Sequence, residues 1–157
     1  MKKIPKMQIE TTINGRARRL EIRPGDLLVD VLRAAGYTEV KKGCDSGSCG
    51  VCTVLFNDEP VLSCSTFAAK ADGAEIRTVA GIREEAERLA EHLTAQGADQ
   101  CGFCAPGFTL TVYALRKENP NPTDEEIRHY LAGNLCRCSG YEGQIRAIRR
   151  YVEAQNG

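Results

Sequence analysis

The side chains with the strongest claim to chemistry are the cysteines, eight in 157 residues. Three crowd into "GCDSGSCGVC", residues 43 to 52, and Cys64 follows with eleven residues between it and Cys52. Cys44, Cys49, Cys52 and Cys64 therefore read C-x4-C-x2-C-x11-C. The other four stand as a C-x2-C pair, Cys101 and Cys104 in "DQCGFCAPG", and a C-x-C pair, Cys136 and Cys138 in "NLCRCSGY", with 31 residues between the pairs. Each set supplies four thiolates, the donor set of a soft metal centre.

Three thiols on one loop with a fourth from farther along is the plant-type spacing for a [2Fe-2S] cluster, distinct from the C-x2-C-x2-C run of four-iron ferredoxins. Structural zinc prefers two close pairs. The sulfides of such a cluster accept hydrogen bonds from backbone amides. Gly43, Gly47 and Gly50 leave this loop bare and sharply bent, so that its N–H groups turn toward sulfur. For the second set both readings stay open, because two facing pairs also resemble a zinc ribbon; the tight C-x-C favours a cluster. Cys101 and Cys104 precede a helix that starts near Pro106, and its positive end predicts easily deprotonated thiols. In an extended loop, Cys136 and Cys138 send their sulfurs the same way.

The elements that carry these loops have two periods. In "KMQIETTI" Met7, Ile9 and Ile13 fall on one face of a strand, Asn14-Gly15 favours a type I′ turn, and "RARRLEI" returns with Leu20 and Ile22 inward. "PGDLLVDVLRAAG" places Leu27, Leu28, Val31, Leu32 and Ala35 at helical spacing before Gly36. Two short strands around an Asn57 to Pro60 turn and a last one in "AEIRTV" complete a strand-rich half. From about residue 82 the period is helical: Ala86, Leu89, Ala90 and Leu93, then "GFTLTVYALRK" as far as "NPNP". Thr123 and Glu126 form a capping box ahead of Ile127, Tyr130 and Leu131, and a last helix from about Glu142 to Val152 buries Ile145, Ile148 and Val152. Four helices on short connections predict a small bundle, and the boundary falls at "TVAGI", Thr78 to Ile82.

Composition excludes several functions. The chain has 21 basic and 21 acidic residues, divided 12 against 10 up to residue 80 and 9 against 11 beyond it, so neither half has the basic surface of a nucleic-acid binder. No apolar run approaches the roughly 18 residues of a membrane span, and "MKKIPKMQIE" has no apolar stretch behind its basic start. The expectation is a cytoplasmic chain whose thiols bind metal instead of resting as disulfides. His92 and His129 read as ordinary helical positions, and Arg146, Arg149 and Arg150 as cations suited to a helix C-terminus. Arg137 either offsets the negative charge of its cluster, faces a partner chain, or is simply solvated. No G-x-G-x-x-G lies between a strand and a helix, and no catalytic triad can be assembled.

"GCDSGSCGVCTV", "QCGFCAPG" and "GNLCRCSGY", in this order, resemble the small iron-sulfur subunit of molybdenum hydroxylases, the xanthine dehydrogenase and aldehyde oxidase family, across nearly the whole chain. The resemblance implies an α+β protein. An N-terminal β-grasp, plant-type ferredoxin-like domain, residues 1–80, would hold one [2Fe-2S] cluster on Cys44, Cys49, Cys52 and Cys64. A C-terminal four-helix bundle domain, residues 81–157, would hold the other on Cys101, Cys104, Cys136 and Cys138. It also implies partners: a large subunit carrying molybdopterin next to the helical-domain cluster, and a medium subunit whose FAD takes electrons from the ferredoxin-like one. The assembly would be a heterotrimer or a dimer of heterotrimers, and this chain alone would turn over no substrate. Gln100 matches a family glutamine that hydrogen-bonds the pterin. Ala105 stands where many relatives carry threonine and Val51 where alanine is usual; neither change removes a thiol. Two rival readings are a free ferredoxin-type electron carrier whose helical part is a zinc-stapled appendage, and a redox-sensing or zinc interaction module.

Overall fold

The computed structural model describes residues 5–156. The N-terminal half is built on a hairpin, β1 (Met7–Ile13) paired antiparallel with β2 (Arg16–Ile22). Asn14 and Gly15, at φ 51° and 75°, form the two-residue turn their sequence predicts. Ile9, Thr11 and Ile13 face inward, whereas Met7, expected with them, is 39% exposed.

Helix α1 (Leu28–Ala34) buries Leu28, Val29 and Leu32. It stops where Gly36 turns left-handed at φ 98°. The N–H groups of Gly36 and Tyr37 then reach back to the carbonyls of Arg33 and Leu32 at 3.1 and 3.0 Å, which satisfies the helix end.

After the cysteine loop come β3 (Thr53–Phe56) and β4 (Glu59–Leu62), with β5 (Glu75–Arg77) later in the chain. The sheet order is β2-β1-β5-β3-β4, with β5 parallel to β1 and antiparallel to β3. The β3–β4 turn is shorter than expected: Asn57 and Asp58 alone make it, at φ 49° and 71°, and Pro60 lies inside β4 opposite Leu55. A proline is tolerated there because β4 is the edge strand and its ladder needs no further N–H. Ile9, Ile13, Ile22, Val54 and Ile76 of the sheet and Leu28, Val29 and Leu32 of α1 close one core.

A short 3₁₀ turn, Val79–Ile82, leads into four helices: α2 (Arg83–Ala95), α3 (Ala105–Glu118), α4 (Asp124–Tyr130) and α5 (Glu142–Asn156). The α4 capping box forms as read: Thr123 accepts from the Glu126 N–H while the Glu126 carboxylate accepts from the Thr123 N–H at 2.7 Å. Helix α5 runs to Asn156, a turn beyond expectation, so Arg146, Arg149 and Arg150 are not terminal cations. Arg149 instead reaches Asp124 at 3.2 Å and Arg146 donates to Gln96 at 3.3 Å. Leu89, Leu93, Phe108, Val112, Ile127, Ile148 and Tyr151 close a second core.

Helix α3 joins the two cores. Phe108, Val112 and Leu115 face the other helices, whereas Leu110 and Ala114 meet Leu55 of β3 and Ile82 in a third cluster. A helix apolar on both sides is a buried one, and α3 runs between sheet and helices. No helix among the described residues is long and apolar enough to cross a membrane.

Candidate metal centres

The loop ahead of β3 wraps its amides around the Cys44 sulfur. The Cys49 side chain and the N–H groups of Cys49, Ser46 and Ser48 bond to it, and they pull the Cys44 thiol down to about 6. Gly47 and Gly50, both left-handed at φ 70° and 72°, provide the bends. Gly43 serves by its smallness: a Cβ there would lie 2.9 Å from Val51 Cγ2 and 3.4 Å from the Cys49 sulfur. Burial raises the Cys49 thiol, with the Val51 N–H acting against it. Cys52, on the core side, is raised by burial and stands within hydrogen-bonding reach of Cys64.

The second set comes from two loops. Cys101 and Cys104 lead into α3, and Cys136 and Cys138 lie between α4 and α5. The Cys138 sulfur is 3.5 Å from that of Cys101. Cys104 stands beside Cys136, and burial pushes the Cys104 thiol up to about 12. At Cys104 the loss of water around a half-buried sulfur therefore acts against the easy deprotonation expected from sequence. At Cys136 burial also acts upward, but the Ser139 hydroxyl and the N–H groups of Ser139 and Cys138 outweigh it and lower the thiol. The Ser139 N–H lies 3.4 Å from the Cys136 sulfur.

All eight thiols are free, and they stand in twos: Cys44 with Cys49, Cys52 with Cys64, Cys101 with Cys138, and Cys104 with Cys136. No three His, Cys, Asp or Glu side chains among the described residues close on one point. A lone zinc asks for four donors about one point, whereas each iron of a [2Fe-2S] rhomb asks for two thiolates, with amide N–H groups near sulfur. The donor chemistry and its pairing fit the two-iron group.

The two sets meet across the joint between sheet and helices. The Cys49 carbonyl accepts from the Leu135 N–H at 2.9 Å, which links a cysteine of the first set to the neighbour of Cys136. Glycines permit this approach. A Cβ on Gly50 would sit 2.3 Å from the Gly133 carbonyl oxygen, and one on Gly107 would sit 2.3 Å from the Gly50 carbonyl oxygen. A hollow of about 450 Å³ opens beside the joint, lined by Val51, Phe103, Leu135, Arg137 and Tyr141 and by cysteines of both sets. Phe103, Leu135 and Tyr141 had no role in the sequence reading, although Tyr141 closes the third motif. The Gln100 side chain donates to the Cys138 carbonyl at 3.0 Å, clasping the two loops of the second set. His92 packs edge-on against Tyr151, an ordinary helical position.

Comparison with known proteins agrees with this donor chemistry. The family described as 2Fe-2S iron-sulfur cluster binding domain matches residues 11–80, and that described as [2Fe-2S] binding domain matches residues 78–149. The nicotinate dehydrogenase small FeS subunit of Eubacterium barkeri is 45% identical over 151 residues, covering 94% of this chain and 96% of the relative. The chain belongs to the family of small iron-sulfur subunits of molybdenum hydroxylases. Quinoline 2-oxidoreductase from Pseudomonas putida 86 contains a member of the family that superposes at a TM-score of 0.88 with 40% identity, over 96% of both chains. Aldehyde oxidoreductase from Desulfovibrio desulfuricans superposes equally well at 38% identity; 96% of this chain there matches 17% of the longer one. The family therefore includes both small separate subunits and segments of larger chains.

Proposed function

We propose that the chain is the electron-transfer subunit of a molybdenum-containing hydroxylase or dehydrogenase. In this reading it relays electrons one at a time from molybdopterin on a large subunit, through two [2Fe-2S] clusters, to FAD on a medium subunit. The chain divides near residue 80. Residues 1–80 form a β-grasp, ferredoxin-like domain that holds one cluster on Cys44, Cys49, Cys52 and Cys64, and residues 81–157 form a four-helix domain that holds the other on Cys101, Cys104, Cys136 and Cys138. Bound in these two sets, the clusters supply one-electron redox chemistry.

The remaining work belongs to the polypeptide. The Ser46, Ser48 and Cys49 amides around Cys44, and those of Cys138 and Ser139 around Cys136, offset thiolate charge. Gly50 and Gly107 bring the two cysteine sets together. Gln100 holds the Cys101 and Cys138 loops and presents its remaining amide oxygen for a pterin on the large subunit. The observation that carries the reading is the contact of the two sets through Cys49 and Leu135, because a relay needs its centres close and a metal staple does not.

Metal analysis of anaerobically purified protein tests it. The relay predicts about four irons per chain and two distinguishable paramagnetic signals on reduction. About two irons with one zinc would instead support a ferredoxin-type carrier with a zinc-stapled appendage. Copurification of a molybdopterin-binding and a flavin-binding chain is the companion result.

A further inference from the structure

The loop between Cys136 and α5 contains a bulky residue in a conformation that such residues avoid. Tyr141 has φ 69° and follows Gly140 at φ 66°, so two consecutive residues are left-handed. A tyrosine gains nothing locally from this region, where its Cβ crowds the backbone. Burial does not explain it, because the residue is 42% exposed. What the conformation achieves is a set of hydrogen bonds. The phenol oxygen accepts from the Cys136 N–H at 3.0 Å, and the Tyr141 N–H donates to the Ser139 hydroxyl at 3.2 Å. The Tyr141 carbonyl accepts from the Ile145 N–H at 3.0 Å and so opens α5. Ser139 in turn directs its own N–H at the Cys136 sulfur. The loop is tied to itself, with Cys136 held from both ends.

N–H bonds to the sulfurs of a thiolate-bound cluster favour its reduced, more negative state and raise its potential. The amide of Ser139, 3.4 Å from the Cys136 sulfur, is spent in that way. The amide of Cys136 itself, the donor nearest the set by covalent connection, is bound to the phenol instead. We propose that Tyr141 is a positioning residue that withholds the Cys136 N–H from the sulfurs of the helical-domain centre and thereby keeps that centre's potential low. This rests on the reading that Cys101, Cys104, Cys136 and Cys138 hold a cluster.

Tyr141→Phe in the full, cluster-loaded chain removes the acceptor and keeps the ring. Potentiometric titration followed by electron paramagnetic resonance should show an upward shift confined to the signal assigned to the Cys101 set, with the Cys44 signal unmoved. Tyr141→Asn, a side chain at ease in the left-handed region, should shift the same signal in the same direction, since it too lacks the phenol. An unmoved potential, a downward shift or an equal shift of both signals in Tyr141→Phe overturns the proposal, as does wild-type behaviour of Tyr141→Asn. Failure of the underlying reading is seen first and separately, as a wild-type chain with about two irons and one signal.

Discussion

Replacing Cys101 by serine separates the two thiol sets at the level of one atom. Its sulfur is 3.5 Å from that of Cys138, while the Cys44 set is organised by its own loop. On the proposed reading, Cys101→Ser should therefore lose about two of four irons and one of two paramagnetic signals. Loss of both signals together would contradict separate centres. Gln100 acts at the same scale: its amide N–H is engaged by the Cys138 carbonyl, which leaves the oxygen for a partner. If Gln100 meets a pterin as proposed, Gln100→Ala should lower the pterin content of the assembled complex, read by molybdenum analysis, and unchanged content and activity would remove the proposed role. The cysteines were legible in the sequence because their spacing is local. The role of Tyr141 is not legible in its motif, because its target is an amide, and every residue except proline has one.

Among the elements, α4 is a helix of only seven residues that carries a complete capping box. Glu126 accepts from the Thr123 backbone and hydroxyl, and these bonds hold its carboxyl below the ordinary value. A carboxylate lowered in the folded state stabilises above its unfolded pKa, and that contribution disappears as pH falls through the folded value. Wild type should therefore be more stable than Glu126→Gln near neutral pH, and the gap should close in acid. Urea unfolding at both pH values measures it, and a gap independent of pH would contradict the ionised cap. The cap was readable because T-x-x-E is a local pattern. The full length of α5 was not: its last turn has few apolar residues of its own and is held by distant partners, as where Asn156 donates to the Pro120 carbonyl at 3.0 Å.

For the whole molecule the decisive contact is backbone against backbone. Gly107, at the start of α3, meets the Gly50 carbonyl, and Leu110 and Ala114 of the same helix meet Leu55 and Ile82. A methyl at Gly107 has no flexible neighbour to displace, so Gly107→Ala should cost about 1–3 kcal/mol by overpacking. On the proposed two-cluster reading it should also weaken the magnetic interaction between the reduced centres. Gly133→Ala, where a Cβ would meet nothing within 4 Å, should change neither. Urea unfolding and low-temperature resonance spectra check both, and equal behaviour of the two variants would remove the glycine joint from the account.

The sequence by itself determined the thiols and their grouping into two sets, the hairpin turn, the helix caps and the change from strand to helix period, since each is encoded within a few neighbouring residues. Only the tertiary structure decided which thiol stands beside which, that Cys104 is half-buried where Cys101 is exposed, and that Cys49 and Leu135 share a hydrogen bond. Those outcomes depend on how closely two backbones approach across 86 residues of chain. Nothing in the pattern around either residue records that distance; it is set by the summed packing of α3 between sheet and helices.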